Sequence, residues 1–232
     1  MANYRMGGLP GLPTVVKNLI IINVLVWLAQ LTFGFQFTNM FALHYHEHAD
    51  FRVWQVVTYM FLHDPGMFFH ILFNMFGLWM FGSTLENLWG PKRFLTFYLI
   101  CRIGAGIIQM LTNYIEVSVW MNRFYSGKIG EPELIEHIRG IVSTYTLGAS
   151  GAIMGIFAAF AYTFPNQELF IIPIPFPIKA KWLVIGLILL DLFGGINPRY
   201  NSGVAHFAHI GGALFGLILC YTMNKNNRRN FY

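Results

Sequence analysis

Long apolar stretches, separated by short groups of polar residues, recur along almost the whole chain. Six of them can cross about 30 Å of hydrocarbon as α-helices that rise about 1.5 Å per residue. They lie at about residues 18–35, 68–89, 93–115, 148–165, 180–196 and 204–223. The pattern predicts an all-α, polytopic membrane protein with six transmembrane helices, in a single membrane domain over residues 1–232.

The composition supports a membrane protein, because 56% of the residues are apolar and only 11% are charged. Soluble domains carry about twice that charged fraction. Cys101 and Cys220 both fall inside apolar stretches, where cysteine packs as a small apolar residue. The basic residues form no stripe with interleaved aromatics, so a nucleic acid partner is not predicted. The predicted surroundings are a lipid bilayer.

The distribution of lysine and arginine predicts the orientation. Cytoplasmic loops carry an excess of these residues. With the N-terminus in the cytoplasm, nine lie on that side and five lie outside, so we predict that both termini are cytoplasmic. The nine are Arg5, Lys17, Lys92, Arg93, Lys179, Lys181, Lys225, Arg228 and Arg229, and the five are Arg52, Arg123, Lys128, Arg139 and Arg199.

Polar residues lie near the outer ends of the second, fourth and sixth predicted helices. They are His70 and Asn74, then Ser150, then His206 and His209. At about 1.5 Å per residue, all five lie within about 10 Å of the outer boundary. Ionisable groups inside a membrane are disfavoured by several kcal/mol unless they are paired, so they commonly mark function. Hydrogen bonds that only join helices are the simpler alternative.

Two pairs of glycines predict that the fourth and sixth helices pack closely. Glycines four residues apart let two helix backbones approach each other. In that packing the Ser150 hydroxyl and a ring nitrogen of His209 come within about 2.6–3.2 Å, as activation of a nucleophile requires. Serine alone, or glycine alone, is more simply explained by helix packing, whereas the combination favours a catalytic pair. The glycines are Gly151 and Gly155, and Gly212 and Gly216.

His70 and Asn74 stand four residues apart and therefore on one face of the second helix. With the backbone N–H of Ser150, they are candidate donors to a developing oxyanion. The alternative is that they only tether the first loop. Asp191 lies near the outer end of the fifth helix, but no spacing places it beside His209. We therefore expect a Ser-His pair without an acidic member.

These motifs resemble those of the rhomboid intramembrane serine proteases. The sequence reads HILFN at 70–74, GASG at 148–151 and AHIGG at 208–212, on the three helices that the family requires. The resemblance implies a six-helix bundle in which Ser150 is the nucleophile and His209 the general base and acid. It implies that His70, Asn74 and Ser150 form the oxyanion hole. Residues expected to line or support the cavity are Gly148, Gly151, Met154, His206 and Gly212.

The resemblance also implies the activity, which is hydrolysis of peptide bonds in or near transmembrane segments of membrane proteins, with no cofactor and no metal. The substrate segment is expected to enter laterally between the second and fifth helices. The minimal six-helix form suggests a bacterial cytoplasmic membrane.

Two alternative functions remain. They are a catalytically silent relative that binds membrane helices, and a small transporter with a histidine relay. The transporter leaves the GASG motif unexplained and lacks an inverted repeat.

Several residues depart from the family's pattern or stand apart from it. Met154 occupies the place of a tyrosine that stacks on the catalytic histidine in many members. The first loop reads RVWQ at 52–55, where many members carry a Trp-Arg pair, and Arg52 is the expected substitute. Glu86 resembles a structural acid, and Arg102 is expected to snorkel inward or to pair with it. A metal site on His44, His46 and His48 is a minor alternative to a solvated loop.

Overall fold

A computed structural model describes residues 12–170, 175–197 and 204–225. It confirms the all-α class, since the strands in these residues are the two-residue pair β1 (Glu168–Leu169) and β2 (Ile178–Lys179), which run antiparallel. The helices are α1 (Thr14–Phe41), α2 (Gln55–Thr58), α3 (Phe68–Gly77), α4 (Ser83–Trp89), α5 (Pro91–Tyr125), α6 (Glu131–Val142), α7 (Ser150–Thr163), α8 (Ala180–Ile196) and α9 (His206–Lys225).

Four helices in the described part of the chain are long and apolar enough to cross a membrane. They are Thr14–Phe41, Phe68–Trp89, Pro91–Tyr125 and His206–Met223. The second of these is α3 and α4 joined through a π-helical turn at Leu78–Gly82. Helix α7 is apolar but has only 14 residues, and α8 has 17. The protein is thus a helical membrane protein, and the count of six spans stays a prediction.

The predicted boundaries differ from the observed ones mainly in α1 and α5. Helix α5 continues to Tyr125, well past the predicted end at residue 115. Helix α1 is broken at Gly34, whose φ of 71° is accessible to glycine at little cost. The predicted end of the first span, residue 35, lies beside this break. Four of the basic residues used to predict the orientation, Arg5, Arg199, Arg228 and Arg229, lie outside the described residues.

Helix α7 occupies the centre of the protein. Ten of its 14 residues are buried, and it packs against α9, α5 and α8. Small residues dominate this sequence, so neighbouring helices approach it closely on several sides. Ser150 is the first residue of this central helix. The serine therefore lies at the mouth of the bundle, above a densely packed core.

Glu86 joins the second predicted span to the first. Its Oε1 accepts a hydrogen bond from the backbone N–H of Val15 at 2.9 Å, and its Oε2 accepts one from Val16 at 2.8 Å. These N–H groups belong to the first turn of α1, which has no intrahelical acceptors for them. Because both carboxylate oxygens accept these hydrogen bonds, Glu86 links α4 to the start of α1, as expected of a structural acid.

Arg102 does not pair with Glu86, and of the two arrangements expected for this residue the structure supports the other, a side chain directed into the bundle. Its guanidinium is buried and lies over the ring of Tyr59, 3.8 Å from the ring centroid. The Tyr59 hydroxyl in turn donates to the backbone carbonyl of Arg102 at 2.8 Å. The carboxylate of Glu86 is hydrogen-bonded to the start of α1, whereas the Arg102 side chain is directed toward the first loop. The arginine therefore anchors α2 and its following 3₁₀ turn to α5.

The first loop is organised by Gln55 rather than by Arg52. The buried Gln55 amide donates to the carbonyls of Asp50 at 2.9 Å and Met40 at 3.3 Å, and its Oε1 accepts from the Arg52 backbone N–H at 3.2 Å. The Arg52 guanidinium donates to nearby loop carbonyls, at residues 49 and 51. The buried hydrogen bonds of this loop therefore converge on Gln55, and not on Arg52, the residue expected to substitute for the Trp-Arg pair.

Candidate active site

The seam between α7 and α9 is formed by Gly151, Gly155, Gly212 and Gly216, and we call it the glycine seam. A Cβ added to Gly212 would fall on the carbonyl oxygen of Gly151, and one added to Gly216 would lie 2.5 Å from that of Gly155. The two helices therefore touch backbone to backbone, as the sequence predicts. No side chain larger than hydrogen fits at these positions without moving a helix.

Ser150 and His209 meet at the end of the glycine seam where α7 and α9 begin. The His209 Nε2 lies 2.7 Å from the Ser150 Oγ, at hydrogen-bond distance. Both residues are partly buried, and the His209 side chain keeps 17% of its surface exposed. This distance falls within the range that activation of a hydroxyl by a general base requires.

Asp191 lies beside His209, contrary to expectation. Its Oδ1 and Oδ2 are 3.1 Å and 3.2 Å from the Nδ1 of His209, and Oδ1 is also 2.7 Å from the Nδ1 of His206. No spacing along the chain relates a residue of α8 to one of α9, so this contact was not predicted from the sequence. The available signal was an unpaired acid in an apolar helix, which is costly unless a partner lies nearby.

His70 presents one ring nitrogen to the same region. Its Nδ1 accepts a hydrogen bond from the backbone N–H of Asp64 at 3.3 Å. In a neutral imidazole the other nitrogen, Nε2, then carries the proton. A Cβ added to Gly148 would lie 2.9 Å from this Nε2 and 3.7 Å from the Ser150 Oγ. The His70 donor is therefore directed into the space beside the serine, which Gly148 keeps open.

Gly148 itself has a φ of 114°, a conformation that residues with a side chain rarely adopt. The substitution of any other residue would strain the backbone and also fill the space between His70 and Ser150. The two effects act at the same point of the loop that leads into α7. This explains physically why glycine precedes the serine by two positions.

Asn74 is buried one helical turn below His70. Its Nδ2 donates to the carbonyl of His70 at 2.7 Å, which uses one of the two N–H groups of the amide. The backbone N–H of Ser150 belongs to the first turn of α7, where N–H groups lack intrahelical acceptors. These two groups and His70 are the three candidate oxyanion donors predicted from the sequence.

His63 lies against His70 from the first loop. The two rings meet edge to face, with centroids 5.2 Å apart. Burial lowers the pKa of His63 to about 3, so its imidazole is neutral at neutral pH. His70 therefore has an uncharged neighbour on this side.

The three loop histidines do not converge on one point. His44 stacks on His48 with centroids 4.9 Å apart, whereas His46 contacts Tyr45 and Tyr114. Within residues 12–170, 175–197 and 204–225, no group of three or more His, Cys, Asp or Glu residues is arranged to hold a metal ion. The structure thus gives no support to the minor alternative of a metal site.

Comparison with known proteins identifies the family. The Rhomboid domain model matches residues 50–226. The chain belongs to the rhomboid family. It is 27% identical to Rhomboid protease AarA of Providencia stuartii over 94% of this chain and 74% of that protein. It is 26% identical to Rhomboid protein 1, mitochondrial, of Saccharomyces cerevisiae over 91% of this chain and 54% of that protein.

A third relative is the human Presenilin-associated rhomboid-like protein, mitochondrial. It is 33% identical to this rhomboid over 151 residues, which are 64% of this chain and 33% of that protein. The chain thus spans about half of the yeast relative and a third of the human one. The family resemblance predicted from the three motifs is confirmed, while the activity of this rhomboid is a separate question.

The remaining residues expected around the cavity of this rhomboid have distinct positions. His206 is the first residue of α9 and binds Asp191. Met154 is buried in the hydrophobic core, one helical turn after Ser150. Its contact with the His209 ring, expected in place of a stacked tyrosine, stays a prediction. Gly151 packs against Ala105 and Arg102 of α5 and also lies near the backbone carbonyl of Ala208 in α9.

Proposed function

We propose that this rhomboid is an intramembrane serine endopeptidase, which hydrolyses peptide bonds in or near transmembrane segments of membrane proteins. Ser150 is the nucleophile and His209 is the general base and acid. The observation that carries the proposal is the 2.7 Å contact between the Ser150 Oγ and the His209 Nε2, at the end of the glycine seam where α7 and α9 begin. The name of the bacterial relative, Rhomboid protease AarA, supports the same reaction class.

The proposed reaction has two halves. The Ser150 Oγ bonds to the carbonyl carbon of the scissile peptide while its proton passes to the His209 Nε2. The C–N bond then breaks, and the leaving amine takes that proton. In the second half, water attacks the acyl-enzyme, gives a proton to the same Nε2, and the proton returns to the Ser150 Oγ as the new carboxylic acid leaves. No cofactor is required for either half.

Negative charge develops on the substrate oxygen in both halves. The proposed donors to it are the His70 Nε2–H, the second N–H of Asn74 and the backbone N–H of Ser150. A fixed donor of this kind contributes on the order of 3 kcal/mol to transition-state stabilisation. The Asp64 backbone, which binds the His70 Nδ1, supports this role because it leaves the His70 proton on the nitrogen that faces the serine.

We further propose that the substrate enters laterally between α3 and α8, the second and fifth predicted spans. Both helices carry large apolar side chains that are exposed, among them Phe69 and Phe73 of α3 and Leu190 and Phe193 of α8. Such surfaces suit contact with lipid or with a transmembrane segment. Water is expected to reach Ser150 from the outer side, with both termini in the cytoplasm.

The membrane that holds the protein is a separate proposal. The sequence suggests a bacterial cytoplasmic membrane. The relatives in yeast and human are named as mitochondrial proteins, so these similarities do not support a bacterial location.

The test is cleavage of a single-span membrane substrate by the purified protein in detergent, with mass spectrometry of the products. Ser150→Ala and His209→Ala are each expected to lower kcat by about 1,000-fold or more. The matched controls are Ser118→Ala and His46→Ala, which change the same residue types at exposed positions of α5 and the first loop. Both controls are expected to cleave at the rate of the unaltered protein.

Cleavage that survives in Ser150→Ala would contradict the proposal. If no variant cleaves, labelling with a fluorophosphonate distinguishes an unsuitable substrate from an unreactive serine. A serine that is not labelled would favour the alternative, a catalytically silent rhomboid that binds membrane helices.

A further inference from the structure

A buried carboxylate on α8 contacts the proposed catalytic base, and a Ser-His pair leaves this contact without a function. Asp191 is only 8% exposed, and two imidazoles are within hydrogen-bond distance of it. We propose that Asp191 is a positioning residue, which fixes the tautomer and orientation of His209 and stabilises its protonated form during the reaction. This inference rests on the proposed function.

The hydrogen-bond pattern determines the tautomer. An ionised carboxylate only accepts hydrogen bonds, so the Nδ1 atoms of His209 and His206 must both donate to Asp191. A neutral His209 with a proton on Nδ1 has a lone pair on Nε2. This Nε2 lies 2.7 Å from the Ser150 Oγ, where it accepts the hydroxyl proton. The opposite tautomer would present a proton to the serine and could not act as a base.

The contacts also determine the orientation of the ring. The His209 Nδ1 is almost equally far from the two carboxylate oxygens, at 3.1 Å and 3.2 Å, so it faces the carboxylate centrally. His206 binds Oδ1 at 2.7 Å and holds the carboxylate in place. When the reaction proton makes His209 a cation, Asp191 is the anion in contact with it, in surroundings where charge pairs interact strongly.

A second residue of α8, Gly194, leaves the space that the His206 ring occupies in this contact. A Cβ at Gly194 would clash with the His206 ring, lying 2.5 Å from its Cε1. Asp191 and Gly194 are three residues apart on one face of α8, and His206 and His209 have the same spacing on α9. We call these four residues the histidine socket. Asp191 binds both imidazoles, and Gly194, the next residue on that face of α8, leaves space for the ring of His206.

The test compares Asp191→Asn with Glu86→Gln in the full-length protein, with the same cleavage assay. Both changes neutralise a buried carboxylate that joins two helices, but the Glu86 carboxylate accepts its hydrogen bonds from the backbone of α1 and lies outside the site. The amide introduced by Asp191→Asn can donate an N–H to the His209 Nδ1, which favours the unproductive tautomer. We expect kcat of Asp191→Asn to fall by about 100-fold or more, as for the acidic member of serine protease triads. KM should stay within about threefold, because the substrate contacts are unchanged.

A kcat for Asp191→Asn within about threefold of that for Glu86→Gln would overturn the proposal, provided that Ser150→Ala is inactive. Activity in Ser150→Ala would instead overturn the proposed function itself. The two failures are therefore distinguishable.

A second measurement needs no variant at Asp191 and covers the case in which that variant does not fold. Nitrogen NMR of the 15N-histidine-labelled protein reports which ring nitrogen carries the proton, and the spectrum of His209→Ala assigns the signals. We expect the neutral His209 to be protonated on Nδ1 and unprotonated on Nε2. A proton on Nε2 would overturn the proposal, whether or not a substrate is known.

Discussion

Helix α9 contacts two of its neighbours, α7 and α8, in opposite ways. Toward α7 it presents glycine, and the two backbones touch along the glycine seam. Toward α8 it presents two histidines, which bind one carboxylate in the histidine socket. The first contact is steric and sets the distance between Ser150 and His209. The second is directional and sets the orientation of the His209 ring.

Helices α7 and α8 also differ in how many of their residues are buried. Helix α7 buries ten of its 14 residues, whereas the buried residues of α8 are four of 17, two of them in the socket. Fewer residues of α8 than of α7 are thus held by contacts within the protein that would resist movement of the helix. The proposed lateral access requires movement of α8, whereas the distance between Ser150 and His209 depends on the glycine seam between α7 and α9. Changes at the two contacts should therefore have different consequences.

The largest effect is expected from Gly212→Val, which places a branched side chain on the carbonyl of Gly151. Backbone cannot move aside as a side chain can, so the free energy of unfolding should fall by about 3 kcal/mol or more. Thermal unfolding in detergent, followed by tryptophan fluorescence, measures this. The matched control is Gly140→Val on α6, where an added Cβ meets no atom within 4 Å. Equal stability of the two variants would contradict a tight seam.

The next effect, on stability alone, is expected from Glu86→Gln. The substitution weakens two charge-assisted hydrogen bonds to the start of α1 and should lower the free energy of unfolding by about 2 kcal/mol. kcat of the folded protein should stay within about twofold, in contrast to Asp191→Asn. Glu136→Gln on the exposed face of α6 is the control and should change neither quantity. A large loss of kcat in Glu86→Gln would mean that neutralising any buried carboxylate disturbs the site.

A smaller effect, mainly on catalysis, is expected from Gly194→Ala. The new methyl group displaces the His206 ring and thereby shifts the Asp191 carboxylate. Small misplacements of catalytic groups are costly, and we expect kcat to fall by about tenfold. The free energy of unfolding should change by less than about 1 kcal/mol, because α8 has few buried contacts. Unchanged kcat would show that the socket tolerates movement of His206.

The smallest effect is expected from Gly186→Ala on the same helix, which serves as the control for Gly194→Ala. An added Cβ at Gly186 meets no atom within 4 Å. Alanine is favoured over glycine inside a helix by about 0.5–1 kcal/mol, so stability should rise slightly with kcat unchanged. A fall in kcat would indicate that α8 is sensitive to any substitution. The effect of Gly194→Ala could then not be attributed to the histidine socket.

The sequence by itself determined the helical membrane class, the family and the residues of the glycine seam. These features are local: apolar length predicts spanning helices, and glycine spacing predicts a flat helix face. The expectation that Ser150 and His209 meet followed from the same faces. The regular part of the fold was therefore predictable, apart from the ends of α1 and α5.

Only the tertiary structure decided which partners the buried charged residues have. Asp191 binds two histidines of α9, Glu86 binds the start of α1 and Arg102 lies over Tyr59. The Asp191 contact was not expected from the sequence, and the inward direction of Arg102 was one of two arrangements that the sequence left open. A side-chain contact between helices depends on the depth and rotation of each helix in the bundle. Those quantities are set by packing over the whole interface and are not encoded in the spacing of residues along either helix.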